Sequence, residues 1–104
     1  MKPTVRTTIG EYFAGQNDAR YSGIYVIACY PCLGCLYVGI SQDIDIRLRQ
    51  HIINGSNIGQ FITNAMPDSC GFRLDLFHID DMKQARRIER QLIRQFRPTY
   101  NEYN

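Results

Sequence analysis

Gly23-Ile24-Tyr25-Val26-Ile27-Ala28-Cys29 and Leu36-Tyr37-Val38-Gly39-Ile40 are the two segments whose reading decides the fold. Both are rich in β-branched and aromatic residues, and the turn at 31–34 between them predicts an antiparallel hairpin. Their near-continuous apolar character predicts burial on both faces of a sheet. No charged residue lies between Arg20 and Asp43, which poses the question of a membrane span. A spanning helix needs about 20 apolar residues without breakers. Here Pro31 and Gly34 sit mid-segment and Tyr21, Ser22, Tyr25 and Tyr30 are spread along it, so two strands are expected and no membrane partner.

Thr8-Ile9-Gly10-Glu11 upstream fits a capping box that opens a short helix stopped by Gly15. That helix is expected to lie as a lid on one edge of the core, within an N-terminal extension over residues 1–20. Downstream, Ser41 or Asp43 can cap a helix that runs to about residue 53, with Ile44, Leu48 and Ile52 as its inward stripe and Arg47 and His51 on one edge. A second helix is predicted over about 57–66, with Ile58, Phe61, Ile62 and Ala65 inward and Pro67 preventing its continuation. A third strand follows over 72–79, and a long helix over about 82–97 ends at Pro98. The fold class expected is α+β: one domain over 1–104 in which helices flank a small three-stranded antiparallel sheet.

A chain of 104 residues has room for one domain of ordinary size. Twelve basic and ten acidic side chains give a net charge of +2, which excludes polycationic or acidic tails and a disordered composition. No apolar run follows the first residues, so no secretory signal is read and an intracellular location is expected. The charge is uneven. Residues 1–81 carry 6 basic and 8 acidic side chains, a balance of −2, whereas 82–104 carry 6 basic and 2 acidic, a balance of +4.

On the last helix Met82, Ala85, Ile88, Leu92, Ile93 and Phe96 form one stripe, and Arg86, Arg90, Arg94 and Arg97 gather beside it. Arginines so spaced either follow a phosphate backbone or make a solvated face. Glu89 falls inside the apolar stripe, where a carboxylate must be neutral, paired or bound to a cation. A core glutamate bonded to an arginine or a tyrosine hydroxyl satisfies that requirement, and so does a metal ligand.

These residues form a constellation that resembles the GIY-YIG endonuclease superfamily. Gly23-Ile24-Tyr25 is followed after eleven residues by Tyr37-Val38-Gly39, Arg47 lies eight residues beyond Gly39 and His51 four further on. Glu89 on the late helix and Asn101 after Pro98-Thr99-Tyr100 complete it, so the resemblance covers about residues 22–101. It implies hydrolysis of phosphodiester bonds in DNA through one Mg²⁺ or Mn²⁺, leaving 5′-phosphate and 3′-hydroxyl ends. Glu89 would hold the cation and Arg47 would meet the charge on the phosphoryl oxygens. Tyr25, Tyr37 and His51 are the candidates to activate water, a tyrosine as direct base with His51 assisting or binding phosphate. Asn101 would orient the site or contact the phosphate, and Gly39 would let the backbone pass close to the metal. Domains of this kind serve in repair, restriction, homing and phage nucleases, and their specificity comes from appended domains, a partner protein or a homodimer.

Cys29, Cys32 and Cys35 lie at one end of the hairpin, and the family's strand pairing would bring Cys70 to the same end. A four-cysteine zinc site or an iron–sulfur cluster, a Cys29–Cys35 disulfide, and free thiols are the readings of this cluster. Two rival functions accompany the nuclease: a non-catalytic nucleic-acid-binding module of the same fold, and a zinc protein centred on the cysteines.

Overall fold

The computed structural model describes residues 2–29, 34–65 and 72–101. In chain order the elements are β1 (Val5–Thr8), α1 (Ile9–Phe13), β2 (Gly23–Cys29), β3 (Gly34–Ser41), α2 (Ile44–Asn54), α3 (Asn57–Ala65), β4 (Arg73–His78) and α4 (Met82–Phe96). The strands pair antiparallel in the order β1-β4-β2-β3. The expected α+β class holds, but the sheet has a fourth strand that the sequence does not announce.

That strand is β1, so part of the N-terminal extension joins the sheet, while α1 packs over it with Ile9 and Tyr12 buried. Val5 lies opposite Leu76 and Thr8 opposite Arg73. Val5-Arg6-Thr7-Thr8 is too short and too polar to show alternation, and it becomes a strand because β4 offers a free edge. Arg6 also reaches across to Asp75 at 3.1 Å. Thr8 then caps α1, its Oγ1 accepting the Glu11 N–H at 3.1 Å as the capping box requires.

The apolar character of the hairpin follows from cover on both faces. Tyr25, Ile27, Leu74 and Leu76 pack under α1, α2 and α3 with Tyr12, Ile44, Leu48, Ile58 and Ile62. Ile24, Val26, Val38 and Phe77 pack on the opposite face against Ala85, Ile88 and Leu92 of α4. The segment without charges is therefore two buried strands, and among the described residues no helix is long and apolar enough to cross a membrane.

The pairing of β2 with β3 contains a bulge. Ile27 faces Tyr37 but Ala28 faces Cys35, so Leu36 is an extra residue on β3. Leu36 and Tyr37 consequently both lie on the α2 side of the sheet, which strict alternation would forbid.

Asp43, not Ser41, caps α2 by accepting the Ile46 N–H at 3.0 Å, and Gly55 ends it in the left-handed region at φ 66°. At the end of α4, Arg97 takes φ 47° and closes the helix through its N–H to the Ile93 carbonyl. The chain beyond turns back along the free edge of β3. Tyr100 donates its N–H to the Leu36 carbonyl at 2.8 Å. The Asn101 amide accepts the Val38 N–H at 2.9 Å and donates to the Val38 carbonyl at 2.8 Å. Both polar groups of an otherwise open edge are thereby satisfied.

Candidate active site

The register of the hairpin, one turn of α2 and one face of α4 bring the predicted residues to a common cleft of about 430 Å³, whose walls include Tyr37, Arg47, His51, Ser56, Glu89 and Asn101. Tyr25 lies behind that wall, 1% exposed. Its hydroxyl is 2.7 Å from His51 Nε2. The Tyr25 and Tyr37 rings stack with centroids 5.9 Å apart, and Tyr37 meets the His51 ring edge-on at 5.1 Å. Tyr37 reaches this side by ordinary alternation from Gly39, since it stays in register opposite Ile27, and the bulge adds Leu36 beside it.

Burial acts in opposite directions on Tyr25 and His51. Burial pushes the Tyr25 phenol far above its ordinary value, the Tyr37 hydroxyl adds to that rise, and Arg47 opposes it. Burial first, and then Arg47, pushes His51 down to about 4. The imidazole is thus neutral at pH 7. An unfolded chain protonates this histidine near its ordinary value of about 6.5, so between these two values the unfolded state binds the additional proton. Stability is expected to be complete above about pH 6.5 and to fall by up to about 3 kcal/mol as the pH drops to 4. Urea denaturation across that range checks this, and His51→Asn should flatten the slope relative to the parent protein.

Gly39 is the cross-strand partner of Tyr25. A Cβ at this position would fall on the Tyr25 ring and hydroxyl. The glycine therefore clears room for the phenol to reach His51. Gly39→Ala is expected to push Tyr25 off His51 at a cost of about 1–3 kcal/mol, read by urea denaturation. Gly59 acts similarly, since a Cβ there would strike the His51 carbonyl, and its absence lets α3 close against the end of α2.

Glu89 is partly buried on the cleft side of α4. Burial raises its carboxyl pKa, and Arg90 and Arg86 pull it back. Among the described residues no hydrogen bond or ion pair is made to Glu89. The reading of a core glutamate bonded to an arginine or a tyrosine hydroxyl is therefore not the one the structure adopts. Arg47 likewise makes no ion pair with a described carboxylate. A lone, half-desolvated carboxylate beside open volume suits Mg²⁺ or Mn²⁺, which keep several waters and need few protein ligands. No group of three or more ligating side chains occurs among the described residues.

Asn101 lines the cleft; its amide oxygen accepts from the Val38 N–H and one of its two amide N–H groups donates to the Val38 carbonyl, which leaves the second N–H for a contact with phosphate. Arg86, Arg90, Arg94 and Arg97 are all exposed and stand beside the cleft without lining it. Ser56 is the cleft residue that sequence reasoning missed. It hides among turn-forming neighbours in Asn54-Gly55-Ser56-Asn57, and the signal that could have found it is a serine immediately before a helix.

Of the cysteines, Cys32 and Cys70 lie outside the described residues. Cys29 is disulfide-bonded. Cys35 is a free, buried thiol whose pKa burial pushes up to about 11. A Cys29–Cys35 disulfide is thus excluded, and neither a zinc site nor an iron–sulfur cluster of four thiolates is formed with Cys29 oxidised.

No curated protein sequence matches the chain significantly. Among solved structures, the N-terminal endonuclease domain of UvrC from Thermotoga maritima, bound to its catalytic magnesium, superposes with a TM-score of 0.64 at 20% identity, over 82% of this chain and 88% of that one. A tyrosine-to-phenylalanine mutant of the same domain gives 0.64 at 20% identity over 83% and 88%. An asparagine-to-alanine mutant gives 0.61 at 19% over 83% and 88%. These likenesses establish a common fold. The GIY-YIG catalytic domain matches residues 21–104, a span that contains both tyrosines of the hairpin, the Arg47–His51 pair and Glu89, and on that match the chain belongs to the GIY-YIG family.

Proposed function

We propose that this chain is a divalent-metal-dependent endonuclease that hydrolyses phosphodiester bonds in DNA. The observation that carries the reading is the placing, across one cleft, of a carboxylate with no hydrogen bond or ion pair among the described residues, Glu89, and a guanidinium that no described carboxylate neutralises, Arg47, beside the Tyr37 and His51 side chains. A site that keeps opposite charges apart in this way is complementary to a third, ionic component. A phosphodiester with its cation supplies both signs.

Glu89 would hold Mg²⁺ or Mn²⁺. When bound, the cation neutralises the scissile phosphate and stabilises the departing 3′ oxygen. Arg47 meets the remaining phosphoryl oxygens with the fixed, planar fork of its guanidinium. Tyr37 is the tyrosine that reaches the cleft, so its hydroxyl is the group that meets the attacking water. Tyr25 and His51 stand behind it. As the water loses its proton to the Tyr37 oxygen, the Tyr37 proton passes to Tyr25 and the Tyr25 proton to His51 Nε2. A phosphate on Arg47 assists, because it offsets one of the two causes that keep His51 unprotonated. Asn101 serves by holding β3 at Val38, next to Tyr37. The exposed arginines of α4 extend the basic border along which the duplex would lie.

Incubating the full chain with supercoiled, branched and single-stranded DNA, with and without Mg²⁺, tests the proposal. Cleavage that requires the cation and leaves 5′-phosphate ends is the expected result. Binding without cleavage under every condition would overturn it in favour of a nucleic-acid-binding module.

A further inference from the structure

Both ring nitrogens of His51 are engaged within the protein: Nε2 lies 2.7 Å from the Tyr25 hydroxyl and Nδ1 lies 2.6 Å from Ser56 Oγ. A neutral imidazole carries one N–H and one lone pair, and nothing intrinsic decides which nitrogen has which. The neighbours decide. Tyr25 is buried and its phenol keeps its proton, so that proton needs an acceptor; the Tyr37 hydroxyl and His51 Nε2 both stand against it, and the imidazole lone pair is the stronger acceptor of the two. Nδ1 must then carry the imidazole proton. Ser56 Oγ already accepts the Gly59 N–H at 3.2 Å, and the Ser56 carbonyl accepts the Gln60 N–H at 2.7 Å, so Ser56 is the N-cap of α3 and its hydroxyl is held by the helix start. One lone pair remains on Oγ, facing His51. The opposite arrangement, with Ser56 donating to Nδ1, would put a proton on Nε2 and turn the Tyr25 hydroxyl away from it.

We propose that Ser56 is a positioning residue of this site: its Oγ accepts the Nδ1 proton of His51 and so presents an unprotonated Nε2 to the Tyr25 hydroxyl. The catalytic consequence rests on the hydrolytic reading above, since only with Nε2 bare can His51 receive the proton relayed from water. The same hydroxyl thus ends one helix and orients the side chain of another.

The test uses the ¹⁵N-labelled full chain and long-range ¹H–¹⁵N correlation of the histidine rings at pH 7, with His78→Gln to assign the two spectra. Glycine is the informative replacement, because it caps a helix almost as well as serine but has no hydroxyl. The parent protein and Ser56→Thr should show Nδ1 protonated and Nε2 bare, whereas Ser56→Gly should move the proton toward Nε2. Nicking in Mg²⁺ should fall about 100-fold in Ser56→Gly, the lower end of what a positioned acid–base group contributes, and return in Ser56→Thr. Nε2 protonated in the parent protein, or an unchanged tautomer in Ser56→Gly, would overturn the assignment. Parent protein that does not cut DNA would count against the hydrolytic reading alone, and the tautomer would still decide the role of Ser56.

Discussion

Glu89→Gln protein is expected to lose nicking of supercoiled DNA in Mg²⁺ by about 10³-fold or more, the loss of several kcal/mol of charge stabilisation at the phosphate. The fold should survive the change. Glu89 has no hydrogen bond or ion pair to forfeit among the described residues, and its raised pKa records a desolvation cost. A neutral amide of nearly the same shape relieves that cost, so stability in urea is expected to hold or to rise slightly. A site residue whose removal stabilises the protein while removing activity is held there for function. Full activity in Glu89→Gln would show that the carboxylate does not hold the cation.

Arg47→Ala should be nearly as damaging. An arginine that meets the charge of a transferring phosphoryl group contributes about 10³-fold or more, and Arg47 has no described carboxylate to divide its charge. Arg47→Lys is expected to recover only part of the loss, because an ammonium cannot reproduce the planar two-point contact with phosphate. The substitution also carries an internal control. Arg47 is the second cause of the depressed His51 pKa, so in Arg47→Ala the histidine should titrate closer to its ordinary value. An NMR titration that finds His51 unmoved would place Arg47 away from the site.

Much of this arrangement can be read from the residues before any coordinates. The hairpin, α2 with Arg47 and His51 on one edge, and the misplaced Glu89 on α4 follow from apolar spacing, because those elements are long and buried on a defined side. What escaped the sequence depends on contacts that spacing does not encode. β1 is four residues whose strand character comes from the edge of β4, with Arg6 reaching Asp75. The bulge at Leu36 puts two consecutive side chains on one face, and a count by twos from Val38 cannot foresee it. Tyr25 and Tyr37 are equivalent in sequence and become distinct only once burial puts one behind the cleft and the other on its wall. Gly39 and Asn101 stand at the expected positions, and each also acts on a neighbour: one makes room for Tyr25, the other grips Val38.

A site with two tyrosines could also cut DNA by attacking phosphorus through a phenol oxygen, so the central claim is that these groups activate water. Cleaving plasmid DNA with the full chain and Mg²⁺ in ¹⁸O-enriched water tests it most directly. The account predicts one ¹⁸O atom on each new 5′-phosphate and no protein attached to the DNA. A covalent tyrosine–DNA adduct, or cleaved ends without the label, would contradict it.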